Sequence, residues 1–506
     1  MVKHKLFAVI IIGSQNIMMK IVDLFDKQEI EKVKAEVKIG TAIYNTKMID
    51  FHTVQHACEV IAGYNRMMRG YGVKDYRVVA VSSIKEAKNA DYVKEQILSK
   101  TGLYVEWLTN AEERYLHNLA VIDKVPNFSK RVKEGTMLVD ISSGSIQLTV
   151  YDQDQFIFSR NIKIGPLRIR ELLADLEKKV INFTDLMEDY ILSKMDSYQQ
   201  FAPVNIIFKH FILVGTEMLL FQRAFIADEH DFVSKDHFNR LYNKMLQIPE
   251  DVLAKKFKIT QDAVSQLIPT AMLIKKLLEL TEVEGITLSN AELADGIILF
   301  YEKKQQKKTA TQEKLIHDIV VSARNIANRY NCDSKHIYSV EKFALHLFDR
   351  LKALHRLKKR ERLLLQLAVI LQDIGSYIDI NAHYIHSYYI VKASEIIGIS
   401  DEERDIVANI VRYHSAESPS DDQINFSHLP EKQRLVIAKL AAILRIADAL
   451  DDSHQQKITK ITVSLKEDKV FITAQSDADL SLEKWTLEEK GQFFEEVYGV
   501  KPRLKG

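Results

Sequence analysis

Two stretches of one design most restrict what this chain can become. In LVDISSGSIQL, Leu138 to Leu148, apolar and β-branched positions lead to Asp140, small residues follow from Ser142 to Ser145, and alternation resumes at Ile146, Leu148 and Val150. This pattern predicts strand, tight turn and strand. Small residues in such a turn let backbone N–H groups converge on an anion, and a carboxylate just before them can hold a Mg²⁺ ion that screens it. An ordinary β-hairpin with an Asp at its end has the same pattern. The second copy lies earlier, with Phe7–Ile12 as a strand, Gly13–Asn16 as the turn and Ile17–Leu24 as the return. Two such hairpins, each followed by helical segments, predict two similar lobes with a cleft between them.

A chain of 506 residues has room for about three domains. Seventy basic against 69 acidic residues leave a net charge of +1, so no global charge points to nucleic acid or a membrane, and an anion site must be local. Cys58 and Cys332 lack metal-ligand spacing and read as packing thiols in a reducing compartment. The apolar run near the start is broken at Gly13 after seven residues, too short to span a bilayer, so we read a buried strand in a cytoplasmic protein. The lysine-rich YEKKQQKKTATQEK is the best boundary. We place domains at 1–124, 125–302, 303–454 and 455–506. The basic runs at Lys303, Lys304, Lys307 and Lys308, and in LHRLKKRER, fit either a track for a long polyanion or solvated faces.

Met48–Tyr71 has helical spacing ended by Gly70 and Gly72, and Tyr76–Val81 reads as a strand. Ser82 or Ser83 then caps an expected helix carrying Lys85 and Asn89, a possible phosphate contact. Val105–Leu108 leads to a helix opening on Thr109 or Asn110, with Glu112 and Glu113 in its first turn. These carboxylates suit the helix dipole, or a water-activating base at a cleft mouth. Gly165 and Pro166 precede another helix. The strand Phe211–Val214 meets Gly215 and Thr216 before a helical stretch, and Gly285–Leu288 is a further strand. Beyond the boundary, helical periodicity covers 336–356, 361–372, 384–397, 401–414 and 431–450. Scattered over it are His336, Asp373, His383, His386, His414 and Asp448, the residue types by which an all-α phosphohydrolase binds metal. Ile458–Ala474 alternates as a hairpin.

Taken in order, these segments resemble the Ppx/GppA family of exopolyphosphatases and guanosine pentaphosphate phosphohydrolases. The family's AIDIGSNS is similar to AVIIIGSQN (Ala8–Asn16), ATSALREAxN to AVSSIKEAKN (Ala80–Asn89), and SGxEEARL to TNAEERYL (Thr109–Leu116). DIGGGSTEL resembles DISSGSIQL (Asp140–Leu148), and GGT resembles VGT (Val214–Thr216). HIYSVEKFALHLFD, AVILQDIG, HYIHS, VRYH and LRIADALDDSH match the helical part in sequence order. The resemblance implies two actin-like (ribonuclease H-like) ATPase lobes, a helical HD-type domain and a small C-terminal β-hairpin subdomain. It also implies homodimers, Mg²⁺, and removal of a terminal phosphate from polyphosphate or guanosine pentaphosphate.

By carry-over, Glu112 or Glu113 aligns the attacking water and Asp140 anchors the metal. Ser14, Ser82, Lys85, Asn89, Gly144, Ser145, Gly215 and Thr216 line the phosphate pocket, and His336, Asp373 and Asp448 form a second metal set. The chain departs from the pattern at Ile11 for Asp, Gln147 for Glu, Ser142 and Ser143 for Gly, Lys85 for Arg, and Gln372 for His. Loss of carboxylates at a metal-assisted phosphoryl site points to binding of polyphosphate, or of guanosine tetra/pentaphosphate, with weakened or lost hydrolysis.

Overall fold

The computed structural model describes residues 5–199, 206–214, 231–257, 259–305, 309–466 and 469–505. It divides into two compact units, Met1–Thr311 and Gln312–Gly506. The first contains both α/β lobes, and the second contains the helical segments together with the C-terminal hairpin.

In the first lobe, β1 (Leu6–Ile12), β2 (Asn16–Asp23) and β3 (Gln28–Glu36) form an antiparallel meander. β4 (Asp75–Ala80) and β5 (Glu106–Trp107) add in parallel, giving the order β3-β2-β1-β4-β5. β1 is central, so both its faces are covered and its residues alternate between two cores. Ala8, Ile10 and Ile12 join one apolar cluster, while Phe7, Val9 and Ile11 join another with Leu116, Leu293 and Ile297.

The second lobe repeats the path. β6 (Thr136–Ile141), β7 (Ile146–Asp152) and β8 (Gln155–Ile162) form the meander, followed by β9 (His210–Val214), β10 (Phe232–Ser234) and β11 (Gly285–Leu288). The order is β10-β11-β9-β6-β7-β8, the same arrangement with an added antiparallel edge strand. This duplicated topology is the expected ribonuclease H-like, actin-like class. Between the lobes, the helix Asn110–Lys124 crosses the helix Leu293–Gln305 so closely that a Cβ on Gly296 would strike the Leu116 backbone. Buried Lys20 and exposed Lys124 both pair with Asp295 at that crossing, at 2.9 and 2.5 Å.

In the second unit the helices Ser334–Arg350, Lys359–Leu371, His383–Ala393, Asp401–Arg412 and Glu431–Ala449 coincide with the expected segments. The hairpin forms as β12 (Lys460–Lys466) and β13 (Lys469–Gln475). A helix, Ser481–Tyr498, and a strand, β14 (Lys501–Lys505), were not foreseen; β14 joins β13 in parallel. Val470, Ile472, Leu487 and Phe494 share one apolar cluster with the helices, so hairpin and helices have a common core. Among the described residues no helix is long and apolar enough to cross a membrane.

Candidate functional site

The two hairpins end in turns of the same construction. Ile12 pairs with Ile17 and Ile141 with Ile146, leaving four residues in each turn. The Gly13 N–H donates to Asn16 O at 2.9 Å, and the Ser142 N–H donates to Ser145 O at 3.0 Å. In this register Ile11 is the counterpart of Asp140, and Met18, which pairs with Ile11, is the counterpart of Gln147. The first hairpin therefore presents hydrocarbon where the second presents a carboxylate.

Asp140 is buried, and its Oδ2 is bound tightly by His117 Nδ1. Its Oδ1 is buried with no hydrogen-bond partner among the described residues. Burial alone would lower the His117 pKa, but the Asp140 carboxylate outweighs it and holds the imidazole above its ordinary value. His117 and Glu113 stand four residues apart on one face of the helix Asn110–Lys124. Glu113 Oε2 accepts from the Ser82 N–H at 3.1 Å and from Ser82 Oγ at 2.9 Å, and burial raises its pKa. Glu112 has a different task. Its carboxylate accepts from the Thr109 N–H and Oγ in a capping box, at 2.9 and 3.0 Å.

The remaining pocket residues are also tied to one another. Ser14 Oγ lies 2.8 Å from Ser83 Oγ and 3.5 Å from the Tyr44 hydroxyl. Tyr44, on the short helix Ile39–Thr46, is buried between the two turns, and a Cβ on Gly144 would overlap its hydroxyl. The Arg168 guanidinium stacks on the Tyr44 ring at 4.4 Å, donates to Gly144 O at 2.7 Å and pairs with Glu86 at 2.8 Å. Lys163 also pairs with Glu86, at 2.8 Å. Ser145 Oγ lies 3.3 Å from Ser142 Oγ.

Two expectations change here. The helix predicted after Ser83 is a single 3₁₀ turn, Ile84–Glu86, and the α-helix begins only at Ala90. Lys85 is exposed on that turn. Asn89 instead clamps the Ile49 backbone, accepting from its N–H at 3.0 Å and donating to its carbonyl at 2.8 Å. Gly215 and Thr216 lie outside the described residues. Tyr44, Glu86, His117 and Arg168 were missed by sequence reasoning. Two signals were present: His117 follows Glu113 at helical spacing, and Arg168 is a cation in a first helical turn, where the dipole disfavours one.

In the helical unit, His336, Asp373 and Asp448 do come together. His336 Nε2 lies 3.3 Å from Asp448 Oδ1 and 3.8 Å from Asp373 Oδ2, while its Nδ1 lies 2.9 Å from Asp451 Oδ2. Burial would lower the His336 pKa, but Asp448 and Asp451 carry it up to about 10. Both oxygens of Asp448 have other partners: Gln372 Nε2 donates to Oδ1 at 2.8 Å, and Lys490 Nζ pairs with Oδ2 at 2.6 Å. In the second basic run, Arg360 pairs with Glu403 and Arg362 with Asp349.

The sequence profile described as Ppx/GppA phosphatase family matches residues 17–305, and that described as Ppx/GppA phosphatase, domain III, matches residues 320–491. The chain is 19% identical over 483 residues to a guanosine-5'-triphosphate,3'-diphosphate pyrophosphatase of Photobacterium profundum, covering 92% of this chain and 91% of that protein. A protein of the same name from Pseudoalteromonas atlantica is 21% identical over 518 residues, covering 96% of each. Among solved structures, an exopolyphosphatase from Cytophaga hutchinsonii superposes with a TM-score of 0.50 at 16% identity, covering 59% of this chain and 98% of that one. An exopolyphosphatase-like protein gives the same TM-score and identity, covering 59% and 99%.

Proposed function

The chain belongs to the Ppx/GppA phosphatase family, and from that premise we propose that it is an exopolyphosphatase-like protein that binds inorganic polyphosphate in the cleft between its α/β lobes, with weak or lost hydrolysis of the terminal phosphoanhydride. The observation that carries this reading is the fate of the two equivalent hairpin positions. Ile11 is packed in hydrocarbon, and Asp140 is held by His117. Phosphoanhydride cleavage depends on positioned charge around the transferring phosphate. Two hairpin carboxylates facing one phosphate would hold Mg²⁺; among the described residues the two hairpins offer one, Asp140, whose Oδ2 is engaged by His117, so the hairpins do not fit the ion, and no step is assigned to it.

The groups that remain are suited to binding. The hairpin turns and Ser14, Ser82 and Ser83 present N–H and hydroxyl donors, and Arg168 and Lys163 supply positive charge. A phosphate entering between the turns displaces the Tyr44 phenol. Glu113, in the first turn of its helix and accepting from Ser82, is the carboxylate placed to orient a water. Each missing electrostatic group lowers the rate by roughly 10²-fold or more, and such losses are not additive. A second reading takes guanosine tetra/pentaphosphate as the ligand, and is favoured by the near-full-length similarity to guanosine-5'-triphosphate,3'-diphosphate pyrophosphatases.

The test measures binding and phosphate release with long-chain polyphosphate and with guanosine pentaphosphate, in Mg²⁺, for wild type, Glu113→Ala and Glu112→Ala. Binding with release near background is expected. Rapid turnover that is lost in Glu113→Ala would sink the weakened-enzyme reading, and absence of binding to either ligand at low salt would sink both.

A further inference from the structure

Four residues occupy the equivalent paired positions beside the two turns, and one of them can carry charge. Ile11 pairs with Met18 in the first hairpin, and Asp140 pairs with Gln147 in the second. Gln147 lies directly across the ladder from Asp140, so the two side chains share a face, and the amide is neutral. A buried carboxylate without neighbours of its kind needs one positive charge, not two. A metal ion is one source of charge, and the chain holds another.

His117 reaches Asp140 from outside the hairpins, on the helix Asn110–Lys124, and its Nδ1–H donates to Asp140 Oδ2. The two side chains are 11% and 6% exposed, so water screens the pair little. Glu113, one turn earlier on the same helix, and Asp295, at the helix crossing, act on the same imidazole. Burial works against a charged ring, and Asp140, Glu113 and Asp295 together outweigh it. Carboxylates thus gather around one imidazole as they gather around a cation. Further fixed charge lies at the turn itself. Arg168 Nε donates to Gly144 O, and Arg168 shares Glu86 with Lys163, two cations on one carboxylate.

We infer that His117 takes the place of a divalent cation at Asp140, neutralising the carboxylate beside the second turn so that a phosphate chain enters the cleft without Mg²⁺. The inference rests on the reading that this cleft binds polyphosphate. An ionised Asp140 without His117 would stand two residues before the Ser142 N–H and repel the anion that the turn attracts. His117 is in this role a positioning residue, acting on phosphate through Asp140. Because its charge is built into the fold, binding follows the supply of polyphosphate and not that of Mg²⁺.

The test follows fluorescently labelled polyphosphate by anisotropy on the full chain at one ionic strength, with excess Mg²⁺ and with EDTA. Wild type should bind within about twofold in the two media, and a loss of about tenfold or more in EDTA overturns the inference while the cleft reading stands. Absence of binding in both media sinks the cleft reading, and the inference with it. His117→Leu leaves Asp140 without its counter-charge, so binding should fall about tenfold in EDTA and return with Mg²⁺. Unchanged binding in EDTA, or a loss that Mg²⁺ does not restore, overturns the inference by giving His117 no role or a merely structural one. Where circular dichroism shows that His117→Leu does not fold, His117→Leu combined with Asp140→Asn removes the stranded charge. That combination should bind as wild type does in both media, and weaker binding or a requirement for Mg²⁺ overturns the inference.

Discussion

The inter-lobe cleft and the junction of three helix ends around Asp373, His383 and His414 carry similar residue types in opposite conditions. In the cleft, most of the described groups expected to meet a phosphate or metal already have an internal partner: Asp140 has His117, Ser82 has Glu113, Ser14 has Ser83, and Gly144 O has Arg168. At the junction, His383 and His414 spend their far nitrogens on backbone carbonyls and turn the near ones towards each other and Asp373. The first pattern holds lobes together, and the second leaves two ring nitrogens facing each other beside a carboxylate. The partners of a polar group are therefore a better guide to its work than its place in a motif.

The largest expected effect that sharpens this contrast is on stability. Asp140→Ala strands a buried imidazole and should lower the unfolding free energy by about 3–5 kcal/mol, the range for breaking a buried pair. Asp373→Asn should lower it by about 1 kcal/mol or less, as for partly exposed charges. Urea unfolding of both variants measures the difference, and equal losses would break the comparison. A smaller effect is expected at Tyr44, which fills the space between the turns. Tyr44→Ala should tighten polyphosphate binding about tenfold, or about 1.4 kcal/mol, as read by competition at fixed salt; unchanged or weaker binding would mean that the phenol does not block the cleft.

The smallest concerns pH. Burial alone would raise the Glu86 pKa, but Lys163 and Arg168 outweigh it and leave the carboxyl below its ordinary range. With a depressed folded value, the unfolded chain binds more protons. The contribution is complete above the unfolded pKa, roughly 4.3, and is lost as pH falls through the lower folded value. Glu86→Gln should therefore flatten the fall in stability between about pH 5 and pH 3, by about 1 kcal/mol or less because the pair is partly exposed. An unchanged slope would show that the Arg168–Glu86 contact does not fasten the lobes.

By itself, the sequence determined whatever depends on near neighbours. Alternation along Phe7–Ile12 and Leu138–Val150 specified the central strands, and small residues specified the turns. Thr109 with Glu112 marked a helix start. The chemistry open to Ile11 was legible for the same reason: hydrocarbon cannot hold a cation wherever the chain places it. The tertiary structure alone decided which polar groups meet. His117 and Asp140 are 23 residues apart, Ser14 and Ser83 are 69 apart, and His383 and His414 are 31 apart. Their pairing follows from where strand and helix ends converge, which no local periodicity encodes. β14 escaped notice likewise, because a short parallel strand is specified by the neighbour it joins. Only the fold showed that Asp140 of the second hairpin is already engaged, and that Asp373, His383 and His414 face one another across three helix ends.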